Sequence, residues 1–158
     1  MICVVQIIQS ATIYANGELS GKCGKGLYLL LGVEEGDTLQ DVDLLVTKIK
    51  KLRIFKDEND KMNLSVMDIQ GDVAVVSNFT LCANYRHGNR PDYLKSAKPE
   101  IAKEYYLTFI EKMREDIPCV AHGQFGADMQ THMVTDGPVT IVMESALLRK
   151  TNKEGAGK

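Results

Sequence analysis

No apolar run in the chain approaches the roughly 20 residues needed to cross a bilayer as a helix, so a membrane-spanning helix is not expected. The opening Met1-Ile2-Cys3-Val4-Val5-Gln6 has no cationic stretch, and a signal peptide is not expected either. Cysteine is sparse and scattered. Cys3, Cys23, Cys82 and Cys119 form no C-x-x-C pair, which fits small buried thiols in a reducing compartment better than a disulfide framework. A dominant charge is also missing. Lys and Arg total 19 against 21 Asp and Glu, a net −2, so any site for a polyanion must be a local patch. There is no internal repeat, no G-x-G-x-x-G or G-K-[ST] phosphate loop, and no G-x-S-x-G elbow.

What remains is an ordinary globular balance, 44% hydrophobic and 25% charged in 158 residues, which suits one domain. The reading is a single cytoplasmic domain over 1–148 and a polar, basic tail over 149–158. Val, Ile and Thr crowd Cys3 to Tyr14, and Asn16-Gly17 then predicts a hairpin into Glu18 to Cys23. Gly26 to Val33 is a short apolar run, expected as a strand covered on both faces. Asp37-Thr38-Leu39-Gln40 has the shape of a capping box. Val42, Leu45, Val46, Ile49 and Leu52 follow it at helical spacing. Asp72 to Cys82 reads as a central strand. A second helix is expected over Pro99 to Glu115, with Pro at its first position and Ala102, Tyr105, Phe109 and Met113 buried. Cys119 to His122, Met129 to Thr135 and Val139 to Glu144 are further strands. Strands with two helical interruptions and no regular βαβ alternation imply an α+β fold. Its sheet is expected to be mainly antiparallel or mixed and curled toward a barrel.

Five features bear on chemistry. The Asp72–Cys82 strand breaks its apolar pattern at Ser77, Asn78 and Thr80. Such groups either cap neighbouring backbone or face a ligand. Gly123-Gln124-Phe125-Gly126-Ala127-Asp128-Met129 is either a plain loop with two core anchors or a ligand loop with Phe125 and Met129 as apolar wall. Asp136-Gly137-Pro138 is either a turn before the last strand or a special backbone site. Arg86, His87, Arg90, Lys95 and Lys98 gather against Asp92 alone, a local basic segment suited to phosphates. Cys119-x-x-His122 is half of a zinc pattern that His132 and Cys82 would have to complete, and no second pair has zinc spacing. No metal site or cofactor is expected.

Taken in order, Ser77-Asn78-Phe79-Thr80-Leu81, Phe125-Gly126-Ala127-Asp128-Met129 and Asp136-Gly137-Pro138-Val139-Thr140 resemble the D-aminoacyl-tRNA deacylase family, as do the opening Val-Gln segment, the Gly-Leu-x-x-Leu-x-Gly-Val strand and the Gly-Asn-Arg-Pro-Asp loop. The resemblance spans nearly the whole chain. It implies a homodimer that hydrolyses the ester of D-aminoacyl-tRNA to free D-amino acid and tRNA, a proofreading hydrolase of translation. It places Ser77, Asn78, Phe79 and Thr80 at the reaction centre and Phe125, Gly126, Ala127 and Met129 around the terminal adenosine and aminoacyl group. It also implies a cis bond between Gly137 and Pro138, donated to the pocket of the other subunit as a chiral filter. Asn78 stands where the family's strand motif has Gln, one methylene longer.

The resemblance further implies catalysis assisted by the 2′-hydroxyl of the RNA. A backbone wall beside Cα rejects every L side chain by collision. Glycine has no side chain to collide, so glycine mischarged on tRNA(Ala) is an expected substrate. Two rival classes stay open at this point. One is a nucleic-acid-binding module without hydrolytic activity, built on Arg86 to Lys98. The other is a metal- or thiol-dependent hydrolase of small esters, using Cys82, Cys119, His122 or His132.

Overall fold

A computed structural model describes residues 1–149. Eight strands and two helices follow in the order β1 (Ile2–Ala15), β2 (Glu18–Cys23), β3 (Gly26–Gly32), α1 (Leu39–Lys50), β4 (Phe55–Lys56), β5 (Met62–Leu64), β6 (Asp72–Ser77), α2 (Pro99–Arg114), β7 (Val120–His122) and β8 (Met129–Glu144). The main sheet runs β2-β1-β3-β6-β7, with β8 on the other side of β1, and β4–β5 form a separate ribbon. β1 is antiparallel to β2, β3 and β8, whereas β3–β6 and β6–β7 are parallel. The sheet nearly closes. Ser20 Oγ on β2 donates to His122 O on β7 at 2.9 Å, and Gly21 approaches the same strand so closely that a Cβ would meet His122 N at 2.9 Å. The fold is therefore α+β with a mixed sheet curled to a near-barrel, as its sequence pattern implies. No helix among the described residues is long and apolar enough to cross a membrane.

Local chemistry explains the elements. Asn16 (φ 50) and Gly17 (φ 84) take the positive φ that a tight hairpin needs, and Ala15 pairs with Glu18 across it. β3 is buried along almost its whole length, as a strand paired on both sides and covered on both faces must be. Along β1, burial alternates until Ile7 and Ile8, which are both buried, and resumes at Ala11, Ile13 and Ala15 after the unburied pair Gln9 and Ser10. Cys3, Val5 and Ile7 therefore join the core under the helices, with Leu45, Ile49, Phe109 and Met113. Ile8, Ala11 and Ile13 join a second cluster with Tyr28, Ala74, Val76 and Ala121.

Several boundaries differ from the sequence expectation. The cap of α1 is Thr38 rather than Asp37, and its box partner is Asp41. Asp37 instead accepts the Glu34 N–H at 2.7 Å, so the turn before the helix has first claim on it. On α2 the fully buried tyrosine is Tyr106, not Tyr105. β6 ends at Ser77, and Phe79–Cys82 form a 3₁₀ turn. Asn78 caps that turn by accepting the Thr80 N–H at 3.1 Å, which ends the ladder. Met129 to Glu144 is one strand, not two separated by a turn. Gln6 pairs with Thr140 and Ile8 with Thr135, so Asp136 to Val139 bulge out of a continuous pairing with β1. The expected tail lies outside the described residues except for Arg149, which pairs with Asp41 at 2.7 Å.

Candidate active site

The C-terminal ends of the parallel strands β6 and β7 open on one side of the sheet, where α2 begins. There lies a cavity of about 710 Å³. Its floor is Leu31 and Val33 at the end of β3, with Ser77, Asn78 and Phe79 at the end of β6. Phe125, Gly126, Ala127 and Met129, beyond β7, form one wall. Tyr93, Leu94 and Ser96 to Pro99, with Ala102 and Tyr106 of α2, complete it. Two segments far apart in sequence, each singled out by its polar or glycine content, thus share one cavity.

The two walls are joined by a residue that sequence reasoning missed. The Tyr106 hydroxyl lies 3.0 Å from Val75 O and 2.8 Å from Gly123 O, so it ties the end of β6 to the start of the 123–129 loop. Burial pushes the Tyr106 phenol far above its ordinary range, so it stays a donor. Its ring packs on Phe125, centroids 6.0 Å apart. The signal in the sequence was the helical spacing of Ala102, Phe109 and Met113, which Tyr106 fits as well as Tyr105 does. Gly123 leaves room for the Met129 side chain. A Cβ there would overlap Met129 Sδ. The same loop is held to the hairpin by Asn16 N–H to Asp128 O at 2.8 Å and Asp128 N–H to Asn16 Oδ1 at 3.1 Å.

At the floor, Asn78 N–H donates to Leu31 O at 2.8 Å. Asn78 Oδ1 accepts both the N–H and the hydroxyl of Thr80. Thr80 is exposed and does not line the cavity; its polar groups serve the turn. The Phe79 N–H has no acceptor among the described residues, and the Phe79 ring is 56% exposed at the mouth. That ring meets Tyr93 edge to face, centroids 5.0 Å apart.

The cavity's chemistry is narrow. Among the described residues, Lys98 is the only charged one that lines it, and no carboxylate, imidazole or thiol does. Cys82 lies behind the floor with Sγ 3.6 Å from Val33 O. Burial, then the Glu34 carboxylate, pushes its thiol up to about 11, so it is not a thiolate near neutrality. Cys119 lies toward β2, with Sγ 3.8 Å from Lys22 O, and burial raises it too. His122 Nδ1 is 3.0 Å from Gly123 O, and His132 packs on Tyr14. The zinc pattern is therefore not assembled; among the described residues no three His, Cys, Asp or Glu side chains are grouped for a metal ion.

Gly137 and Pro138 lie apart from this cavity, exposed on the β8 bulge. The cis bond expected between them is not found: every peptide bond among the described residues is trans. Both residues are exposed, and trans is the resting preference of an X–Pro bond by about 0.5–1 kcal/mol. Gly137 is demanded by the bulge itself, because a Cβ would overlap Val139 N.

A family model described as D-Tyr-tRNA(Tyr) deacylase matches residues 4–144. A D-aminoacyl-tRNA deacylase of Persephonella marina is 47% identical over 148 residues, covering 94% of this chain and 100% of the relative. One from Thermosipho melanesiensis is 49% identical over 146 residues, 92% of this chain and 97% of the relative. Among solved structures, the c-Myc DNA Unwinding Element Binding Protein superposes with a TM-score of 0.85 at 39% identity, covering 91% of this chain and 98% of that one. A structure described as a "probable eukaryotic D-amino acid tRNA deacylase" shares the fold, with a TM-score of 0.77 at 13% identity, covering 90% of this chain and 97% of that one. With a matching family model over nearly its whole length and relatives close to half identical, the chain belongs to the D-Tyr-tRNA(Tyr) deacylase family.

Proposed function

We propose that this protein hydrolyses the ester of D-aminoacyl-tRNA to free D-amino acid and tRNA, in the cytoplasm, as chiral proofreading. The observation that carries the reading is a cavity lined by Phe79, whose N–H has no acceptor among the described residues, with no carboxylate, imidazole or thiol in its lining. An aminoacyl ester is already activated, so such a site needs only to place water and stabilise an oxyanion. The Phe79 N–H is the available donor, worth about 10²–10³ in rate. Asn78 holds the turn that aims it, and Thr80 acts through Asn78 as a positioning residue. Ser77 lines the floor beside them. Water adds to the carbonyl carbon and the bond to the 3′-oxygen breaks. Water's proton passes to that oxygen through the neighbouring 2′-hydroxyl of the terminal adenosine. Phe125, Gly126, Ala127 and Met129 surround the adenosine and aminoacyl group.

Stereochemistry needs a wall beside Cα, and a second copy of the chain supplies it in this reading. Among the described residues β8 pairs only with β1, which leaves its other edge open, and Met133, Val134 and Val142 are exposed on this strand. A long apolar edge strand of this kind calls for a partner. Gly137 and Pro138, outside their own cavity, would reach the partner's as the chiral filter. Glycine, with no side chain to collide, enters, so glycyl-tRNA(Ala) is cleaved as well.

Incubation with D- and L-tyrosyl-tRNA tests this directly. Cleavage of the D-ester at a rate far above the L-ester is expected, and equal rates overturn the filter. Chelator and thiol alkylation leave the rate unchanged, whereas a metal- or thiol-dependent esterase would lose it. A second reading, a nucleic-acid-binding module without hydrolysis, draws on Arg86 to Lys98 and on the printed name of the 39% identical structure. It requires salt-sensitive nucleic-acid binding with no ester cleavage at all.

A further inference from the structure

Beside the cavity mouth stands a loop that the reaction does not use. Asn84 and Asp92 pair through both backbone N–H groups at 2.8 and 2.9 Å, and Asn84 Nδ2 donates to Asp92 Oδ2 at 2.8 Å. The segment from Tyr85 to Pro91 is therefore a closed loop on a rigid neck. The neck runs straight into Tyr93 and Leu94, which line the cavity. The wall behind them is fixed as well, by Glu35 N–H to Lys95 O at 2.8 Å and Ala97 N–H to Val33 O at 2.9 Å.

The surface of this loop has two unspent features. Tyr85 is 78% exposed and Leu94 is 82% exposed, large apolar groups left in water. Arg86 and Arg90 have no ion-pair partner among the described residues. The nearest acid in sequence, Asp92, is occupied by Asn84 and by the Leu94 N–H at 3.3 Å. Cations interleaved with exposed flat or apolar groups suit a single nucleic-acid strand, whose phosphates and base faces are both available. They suit a duplex poorly, because stacked bases hide their faces.

We infer that the Tyr85–Pro91 loop, with Leu94, is a clamp for the single-stranded RNA that leads into the cavity: bases of the nucleotides before the terminal adenosine rest on Tyr85 and Leu94, and Arg86 and Arg90 hold their phosphates. The inference rests on the deacylase reading for what occupies the cavity, but the surface can be tested without it. A labelled single-stranded RNA octamer ending in CCA binds more tightly than a blunt duplex of equal length. The double variant Arg86→Gln/Arg90→Gln reduces the slope of log affinity against log salt by about 1.4, near 0.7 for each lost single-strand phosphate contact. Tyr85→Ala weakens binding about 10-fold with the slope unchanged. Equal or tighter duplex binding, or an unaltered slope in the double variant, overturns the clamp.

The catalytic arm compares D-tyrosyl-tRNA with D-tyrosyl-adenosine, which lacks the strand. The double variant loses about 10-fold more kcat/KM on the tRNA than on the adenosine ester. Equal losses on both overturn the clamp, because the arginines would then act in the cavity or the fold. Lys48→Gln/Lys51→Gln, exposed cations at the far end of α1, controls for net charge and changes neither ratio. If the wild-type protein cleaves neither ester, the deacylase reading fails, and the octamer titrations still decide the clamp by themselves.

Discussion

A single phenolic proton spans the two walls of the cavity. Tyr106→Phe keeps the ring against Phe125 and removes only the donation to Val75 O and Gly123 O. Losing that bond costs about 1 kcal/mol of stability in a urea titration. The functional cost falls on kcat for D-tyrosyl-tRNA, with KM nearly unchanged, because the walls lose their spacing and not their contacts. A KM rise alone would contradict that role. Gly123→Ala tests the same loop sterically: the new methyl must displace Met129. The flexible thioether can shift, so stability falls by about 1 kcal/mol at most, and steady-state kinetics should show weakened substrate binding, since Met129 lines the cavity.

At the scale of the element, α1 depends on one acid. Asp41 is almost wholly buried, and burial would push its carboxyl up. Hydrogen bonds from the Thr38 N–H, Ser145, the Arg149 guanidinium and the Thr38 hydroxyl outweigh that and hold it at about 2. The unfolded chain takes up the proton first, near pH 4. Stability from Asp41 is therefore complete above about pH 4 and is lost as pH falls toward 2. Asp41→Asn removes the charge at every pH. Thermal melts should show a lower Tm at pH 6, corresponding to a stability loss on the order of 2 kcal/mol, and a gap to wild type that narrows below pH 4. A gap independent of pH would assign the loss to shape and not charge.

At the scale of the whole molecule, the open edge of β8 sets the prediction. Val134→Lys places a charge on an exposed apolar position of that edge. Sedimentation should show wild-type dimers and a variant whose association is weakened about 10-fold or more. Its discrimination between D- and L-tyrosyl-tRNA should fall with dilution, as the partner's Gly137 and Pro138 leave the site. A variant that stays dimeric with full discrimination moves the interface elsewhere.

Much was legible in the chain before folding. The hairpin at Asn16-Gly17, the buried β3 and the start of α2 at Pro99 follow from rules that act over a few residues, turn chemistry, apolar patterning and backbone φ. So does the mixed sheet in outline, and two of the three motifs, those around Phe79 and Phe125, supply cavity-lining residues, whereas Gly137-Pro138 does not. Tertiary structure alone decided what depends on partners distant in sequence. It chose Tyr106 over Tyr105, because the end of β6 and the loop after β7 offer carbonyls only there. It turned Thr80 away from the cavity, because Asn78 claims its polar groups once Leu31 claims the Asn78 N–H. It also made Asp136 to Val139 a bulge and not a turn, because β1 pairs with the chain on both sides of it. Periodicity records which face of an element is apolar, but which hydrogen-bond partner it finds is settled only when the strands close.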